Sequence, residues 1–320
     1  MLCLENQLPK IFSGLSQTTR AYLALGFGLL SLGFSAIFVR GANAPGTVTA
    51  FYRMTIGSLV MVIPFANQFR SGASIRPARH SIWLAILGGV FFGSDLVLWT
   101  SGIVMSGATI PTLMANIAPL WVGLGAFLFF RERQGVRFWM GLLVAIIGAA
   151  IILGQDFSKA SNIGMGSLLG LGSGVFYGAY YLTTQRARAG MRTLSYFWIS
   201  TASSMILLLF VNLILGRTLT GYDSLTYAMF LGIGLLVQVG GWLAINYAQG
   251  FLPASIISST LLGQPVLTAV IAWPLFGENL NSWQIFGGAA VITGVYLVHR
   301  SRSNGRRVFA SAGIEKNYDN

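Results

Sequence analysis

Cysteine and histidine, the residues most often used in metal and redox chemistry, are almost absent from this chain. Its 320 residues include one cysteine, Cys3, and two histidines, His80 and His299. A single cysteine excludes an intramolecular disulfide, and no group of cysteines exists that could hold a metal. The sequence therefore predicts no metal site and no bound cofactor.

Charged residues are also scarce, at 9% of the chain, whereas hydrophobic residues make up 54%. The apolar stretches are joined by short connections that leave no room for a soluble catalytic domain. No Gly-rich Lys-Ser/Thr loop for nucleotide phosphates occurs, and Asp95 has no second intramembrane acid with which to form a catalytic dyad. We therefore predict no catalytic residues, and a membrane-embedded enzyme is disfavoured. An ion channel is disfavoured too, because neither rings of acidic residues nor a filter-like loop occurs.

What the chain does contain is a series of long apolar stretches, each close to the roughly 20 residues needed to cross a bilayer as a helix. They predict an all-α membrane protein with ten transmembrane helices. The predicted spans are 21–39, 47–66, 82–105, 108–130, 138–154, 164–184, 194–215, 224–248, 253–276 and 283–299.

Lysine and arginine are distributed unevenly between the two sides that these spans define. With the N-terminus inside, sixteen of the 20 fall in cytoplasmic segments and three, Arg40, Lys159 and Arg217, fall outside. The positive-inside bias predicts that both termini are cytoplasmic. It also accounts for the net charge of +12 without a nucleic-acid partner, and the basic tail is expected to meet anionic lipid headgroups.

The chain contains an internal repeat with a fixed offset. Four special residues recur 146 positions later, and the pairs are Pro119 and Pro265, Glu132 and Glu278, Gly141 and Gly287, and Gly148 and Gly294. Each half holds five spans, an odd number, so the second half must enter the membrane in the opposite sense. We predict two inverted five-helix repeats, 21–155 and 164–299, between a cytoplasmic tail 1–20 and a basic tail 300–320. Inverted repeats are typical of secondary transporters.

The repeated blocks resemble a known family. Ala115-Asn116-Ile117-Ala118-Pro119-Leu120 runs on to Arg131-Glu132, and Leu262-Gly263-Gln264-Pro265-Val266 runs on to Gly277-Glu278; Ala50-Phe51-Tyr52-Arg53 lies early in the second span. These features resemble the EamA-type ten-helix carriers of the drug/metabolite transporter superfamily.

The resemblance implies a cell inner-membrane, multi-pass transporter that moves small metabolites by alternating access. The cavity is expected between spans one, three, four, six, eight and nine. Export of amino acids or related compounds is the first expectation. Uptake or facilitated diffusion of nucleobases, amines or other drug-like metabolites is the alternative.

Two charges fall within apolar spans, Arg53 and Asp95, roughly 10–15 Å below the outer surface. An ionisable group at membrane depth is costly unless it is paired or hydrated, so both are candidates for substrate binding. Arg53 could attract a carboxylate or phosphate, while Asp95 could face an amine or accept a proton. The alternative is a permanent ion pair that joins two helices.

Each half also places an uncharged polar side chain beside a proline. Asn116 precedes Pro119 by about one turn, and Gln264 directly precedes Pro265. Proline frees a backbone carbonyl, which is tolerated at membrane depth where a cavity or a neighbouring helix satisfies it. We predict that both prolines kink their helices for gating and that Asn116 and Gln264 contact substrate; a simple packing kink is the alternative.

Span six combines glycines at four-residue spacing with aromatic residues. The glycines predict close packing of a neighbouring helix, or a surface on which helices slide. They are Gly166, Gly170, Gly174 and Gly178. Aromatic rings could stack on a flat cargo or surround a cation, although tryptophan and tyrosine also populate membrane interfaces. The aromatic residues predicted to line the cavity are Tyr177, Tyr181, Trp99 and Trp242, with Ser173 beside them.

The sequence also bears on the driving force, on the role of two glutamates and on the oligomeric state. The driving force is either the substrate gradient alone or proton exchange through Asp95. Glu132 and Glu278 sit at span ends, where we expect a structural role. Because ten spans can enclose a complete path for the substrate across the membrane, we expect a functional monomer embedded in the lipid bilayer.

Overall fold

The structure is a computed structural model that describes residues 15–70, 77–106, 109–153, 163–276 and 282–301. Within those ranges the chain is helical, and no strand occurs. The helices of the first half are α1 Gln17–Gly33, α2 Ser35–Gly41, α3 Gly46–Arg70, α4 Arg79–Ser106, α5 Thr109–Ala115, α6 Ala118–Phe130 and α7 Val136–Leu153.

The second half begins with a long helix and ends with a helix of 20 residues, close to the 18 residues of α7. Its elements are α8 Ile163–Arg188, α9 Thr193–Ile214, α10 Ser224–Gly232, a π-helix Ile233–Trp242, α11 Leu243–Ala248, α12 Ala254–Leu261, α13 Gln264–Phe276 and α14 Ser282–Ser301. Asp223 begins α10 as its N-cap by accepting a hydrogen bond of 2.8 Å from the backbone NH of Thr226. Hydrogen bonding with Thr226 lowers the pKa of Asp223 below its ordinary value.

All ten predicted spans coincide with helical structure in the described part of the chain. By length and apolar composition, seven helical stretches there are able to cross a membrane, and Val136–Ile152 is a shorter apolar helix. The all-α membrane fold is therefore confirmed, whereas the count of ten crossings and the cytoplasmic placement of both termini stay predictions. Glu278 and most of both predicted tails lie outside the described residues.

The interruptions of the helices repeat with the offset seen in the sequence. The break between α5 and α6 falls at Asn116–Ile117, and the break between α12 and α13 falls at Leu262–Gly263, which is 146 residues further on. Each break ends two positions before a proline, Pro119 or Pro265, whose missing NH cannot continue the hydrogen-bond ladder. Helix interruptions are therefore present beside both prolines, and the predicted role of the prolines in gating stays a prediction.

The two halves also meet through equivalent glycines at the contact of α7 with α14. A Cβ on Gly148 would lie 2.6 Å from the carbonyl oxygen of Gly287, and one on Gly141 would lie 2.7 Å from that of Gly294. Gly287 and Gly294 are the repeat equivalents of Gly141 and Gly148, so each member of one pair touches the equivalent of the other. Such reciprocal contacts are what a two-fold relation between the halves produces.

Helix α8 packs closely against the interrupted helix α5–α6, as its glycine stripe predicted. A Cβ at Gly174 would lie 3.0 Å from the carbonyl oxygen of Met114, and one at Gly178 would lie 2.9 Å from the side chain of Trp121. The bare glycine face therefore allows the two helices to approach at backbone distance. Close packing is confirmed, and sliding along this face stays a hypothesis.

Candidate functional site

A cavity lies between the two halves, where the breaks in α5–α6 and α12–α13 face the aromatic side of α8. Its lining is made of small, aromatic and uncharged polar residues. They are Ala115, Asn116, Ala118, Pro119, Tyr177, Tyr181, Ser258, Leu261, Leu262 and Gln264. The space open to the centre of a water-sized sphere is about 20 Å³, which is room for about one water molecule. This space is too small for a metabolite, so a metabolite can bind there only if the helices move.

The two helix breaks supply the polar edge of this cavity. Pro119 lies in the first turn of α6, so the carbonyl of Ala115, four residues earlier, accepts no helical hydrogen bond from it. Gln264 stands at the second break and donates from Nε2 to the carbonyl oxygen of Leu32, 3.4 Å away on α1. The structure thus places the predicted Asn116 and Gln264 at one cavity, each at the break that its proline creates.

An aromatic cluster borders the cavity. The ring of Tyr177 lies 4.7 Å from that of Tyr181 and 6.1 Å from that of Trp242, measured between centroids. Phe92 of α4 completes the cluster. Its ring centroid lies 4.6 Å from that of Trp242 and 4.7 Å from that of Tyr180. Three of the four aromatic residues predicted to line the cavity are therefore packed together.

Trp99, the fourth, is placed differently. Its indole NH donates to the hydroxyl of Thr112, 2.9 Å away, and so links α4 to α5. Among the described residues it takes no part in the ring contacts of the aromatic cluster. A substrate contact by Trp99 in another conformation stays a prediction.

The guanidinium of Arg53 is buried against the same cluster. Its carbon atom Cζ lies 5.6 Å from the ring centroid of Phe92 and 6.0 Å from that of Trp242, within the range of cation–π attraction. Nε donates to Oε1 of Gln238 at 2.9 Å. Neither Nη group makes a hydrogen bond with the described residues, so both keep donors for a further partner.

Asp95 lies within electrostatic reach of Arg53 but is bonded elsewhere. Its Oδ1 accepts a hydrogen bond of 2.5 Å from the hydroxyl of Ser173 on α8. Among the described residues no direct ion pair joins Asp95 to Arg53, although both side chains are buried, with 6% and 7% of their surface exposed. In this conformation the two opposite charges are therefore held in one region by neutral partners.

Two further hydrogen-bonding groups in the cluster are unsatisfied. The indole NH of Trp242 and the hydroxyl of Tyr181 are buried and make no hydrogen bond of normal geometry with the described residues. A buried polar group without a partner is costly, and native proteins rarely retain one without reason. Together with the Nη groups of Arg53, they are hydrogen-bond donors that lack an acceptor in this conformation.

Gln238 was missed by the sequence reasoning. It is a polar residue inside an apolar span, which could have drawn attention to it, but nothing local indicates that it would meet Arg53, 185 residues earlier in the chain. The π-helix that carries Gln238 gave no sequence signal either. Ser258, which lines the cavity, was missed because a serine within a membrane helix commonly bonds its own backbone, as Ser258 does here.

Gln185 lies one turn beyond the cavity residue Tyr181 on α8, toward the predicted cytoplasmic side. Its Nε2 donates to Oε1 of Glu132 at 3.1 Å, and its Oε1 accepts from the backbone NH of Ala254 at 2.6 Å. Glu132 follows α6 in the first half, and Ala254 begins α12 in the second. Gln185 therefore links α8, the end of α6 and the start of α12, and the structural role expected of Glu132 stays a prediction.

Comparisons with known proteins agree on the class. The EamA-like transporter family matches the chain twice, over residues 19–154 and 164–300. A solved crystal structure with 15% sequence identity covers 87% of this chain and 96% of its own length with a TM-score of 0.71, a likeness that shows the fold.

Three relatives carry names that state what they transport. A probable terminal-alkyne amino-acid exporter of Streptantibioticus cattleyicolor is 27% identical, over 81% of this chain and 85% of its own. A riboflavin transporter of Vibrio cholerae is 25% identical, with 78% and 80% covered, and a pseudopaline exporter of Pseudomonas aeruginosa is 23% identical, with 82% and 88% covered. The repeated match, the helical fold and the central cavity lead to one conclusion: the chain belongs to the EamA-like transporter family, and is a multi-pass inner-membrane transporter of small molecules.

Proposed function

We propose that this protein exports an amino acid or a related metabolite by alternating access, and that its cargo binds between Arg53 and Asp95. One observation carries the proposal: two buried, opposite charges lie within electrostatic reach of each other, yet each is hydrogen-bonded only to a neutral side chain. Buried charges are normally paired. A zwitterion supplies both missing counter-charges at once.

The geometry of the free groups fits such a cargo. The open Nη fork of Arg53 matches a carboxylate, which can accept two parallel hydrogen bonds. Oδ2 of Asp95, the carboxylate oxygen that Ser173 does not occupy, suits an ammonium group. The indole NH of Trp242 and the hydroxyl of Tyr181 are available to the remaining acceptors of the cargo.

The names of the relatives are consistent with export of this class of compound. Two of the three named above are exporters, one of an amino acid and one of pseudopaline. A second candidate cargo is a flat neutral compound such as a nucleobase, favoured by the uncharged and aromatic lining of the cavity itself. The name of the riboflavin transporter is consistent with that alternative.

A panel of candidate compounds tests the choice of cargo. We expect zwitterionic amino acids to raise the melting temperature of the purified protein, because a ligand that binds only the folded state stabilises it, by about 2.7 kcal/mol at 100 times its Kd. Simple amines and simple carboxylic acids, which satisfy one charge each, should stabilise it less. Stabilisation by nucleobases alone would transfer the proposal to the second candidate.

Efflux of cargo from preloaded vesicles then measures the direction of transport. The same assay, repeated across pH with Asp95→Asn, separates proton exchange from transport driven by the substrate gradient.

In the proposed alternating-access cycle, the two halves of the protein rock against each other about the cavity. The protein has ten spans and two cytoplasmic termini, and it works as a monomer. Gln185 bonds Glu132 of the first half and Ala254 of its own half, and both bonds must break when the cavity opens to the cytoplasm. The cavity residues Tyr181 and Ser258 lie one turn from Gln185 and Ala254 respectively, so parting these two residues would uncover the cavity.

Gln185→Ala is therefore expected to favour the state that is open to the cytoplasm. The variant loses two hydrogen bonds of about 1 kcal/mol each, so the population of that state should rise about tenfold or more. The measurement is the rate at which Ser258→Cys, in a background where the lone Cys3 is replaced by serine, reacts with an impermeant thiol reagent on the cytoplasmic side. Thr183→Ala is the matched control, because the Thr183 hydroxyl bonds only carbonyls of its own helix. Equal labelling rates in the Gln185 variant and the control would contradict this gate.

A further inference from the structure

A second concave surface lies at the predicted cytoplasmic end of α6 and α7, away from the central cavity. It is an open groove of about 340 Å³ lined by Leu124, Phe127, Arg133, Gln134 and Trp139. The apolar part runs along the helices, where Leu124 and Phe127 are 45% and 50% exposed. The polar part, Arg133 and Gln134, lies in the connection between α6 and α7. We call these five residues the α6–α7 groove.

The floor of the groove is built into the helix packing. A Cβ on Gly123 would lie 3.0 Å from the ring of Trp139, so the tryptophan ring rests against bare backbone of α6. Leu124 and Phe127 line the same groove as this indole. The result is a fixed apolar channel that ends at a cationic side chain.

The chain reverses at Arg131 in a way that concentrates positive charge at the groove. Arg131 has φ 55° and ψ 25°, a left-handed conformation that glycine adopts with far less strain. After this reversal Glu132 turns inward to Gln185, at 3.1 Å, while Arg131 and Arg133 remain exposed. The one acidic group of the connection is therefore engaged elsewhere.

We propose that the α6–α7 groove binds an anionic phospholipid of the cytoplasmic leaflet, with its phosphate at Arg133 and one acyl chain along Leu124, Phe127 and Trp139. Arg131 and Arg137, both exposed and close in sequence, add to the attraction for a negative headgroup. The apolar channel adds the selectivity for a lipid over a free anion. This inference depends on the membrane location of the protein and is independent of the proposed cargo.

The test compares phosphatidylglycerol with phosphatidylcholine of the same acyl chains, each added to the full-length protein purified in a neutral detergent. The melting temperature, followed by tryptophan fluorescence, should rise further with phosphatidylglycerol. Arg133→Gln should weaken the apparent affinity for phosphatidylglycerol about fivefold, as expected for one arginine facing an anionic headgroup, and Arg131→Gln combined with it should weaken the affinity further.

Two additional variants separate a defined site from general attraction. Arg79→Gln, which removes an exposed arginine at the start of α4, should leave the affinity unchanged. Leu124→Trp should weaken binding by filling the groove while every charge is kept. The proposal is overturned if the two lipids stabilise the protein equally, if Arg79→Gln and Arg133→Gln have the same effect, or if inorganic phosphate alone reproduces the effect of phosphatidylglycerol.

Discussion

Replacing Arg53 by glutamine is expected to abolish transport of a zwitterionic cargo. Glutamine keeps a polar side chain of moderate size but removes the charge and the forked donor that a carboxylate would bind. Truncating one partner of a buried charged hydrogen-bonded pair costs about 2–5 kcal/mol, so the affinity for cargo should fall at least about thirtyfold. The measurement is substrate-dependent thermal stabilisation together with exchange transport in proteoliposomes.

The stability of the empty protein provides the control for this substitution. Arg53 has no counter-ion within ion-pair distance among the described residues, so removing it also removes the cost of burying a cation. We therefore expect Arg53→Gln to unfold at about the same temperature as the parent when no substrate is present. If Arg53 and Asp95 were instead a permanent ion pair, the variant would be destabilised by about 3–5 kcal/mol, because an uncompensated charge would remain buried. Arg53→Lys, which keeps the charge but loses the fork, should bind cargo with intermediate affinity.

The second large effect is expected at the glycine contact between the halves. In Gly148→Ala, the new methyl group would lie 2.6 Å from both the carbonyl oxygen of Gly287 and the backbone nitrogen of Val291. Backbone atoms cannot move aside as a flexible side chain can, so α7 and α14 must separate. Overpacking of this kind costs about 1–3 kcal/mol. The melting temperature of the purified protein should fall, and Gly294→Ala, at the repeat equivalent position, should behave alike.

Gly26→Ala is the matched control, since it makes the same chemical change where space is open. Gly26 lies on an exposed face inside α1, and a Cβ there would have no atom within 4 Å. Alanine is a better helix former than glycine by about 1 kcal/mol, so stability should be unchanged or higher. Two glycine-to-alanine changes in helices are thus expected to have opposite signs. A Gly148 variant as stable as the Gly26 variant would refute the close contact.

Much of the candidate site was predictable from residues with local meaning. A charge in an apolar span or a polar residue beside a proline is unusual wherever it occurs, and this placed Arg53, Asp95, Asn116 and Gln264 among the candidates. The structure brings Asn116 and Gln264 to one cavity, Arg53 to the aromatic cluster that borders it, and Asp95 within electrostatic reach of Arg53. Their role in binding cargo stays a prediction until substrate is measured.

The partners of these residues could not be predicted in the same way. Arg53 meets Gln238 and Asp95 meets Ser173 across separations of 185 and 78 residues. A span that is apolar on all sides carries no periodic pattern that would show which face turns inward. The rotation of each helix, and therefore the separate bonding of the two charges, follows only from how the helices pack.

The sequence by itself determined that this protein lies in a membrane, that it is built from a repeat and that it belongs to a transporter family. Those properties depend on hydrophobicity, on the spacing of rare residues and on motifs, all of which are read along the chain. Tertiary structure alone decided that Arg53 and Asp95 are bonded to neutral partners, that Gln185 bonds both Glu132 and Ala254 and that Trp99 stands apart from the aromatic cluster. These are contacts between distant segments, and close packing of the helices selects them.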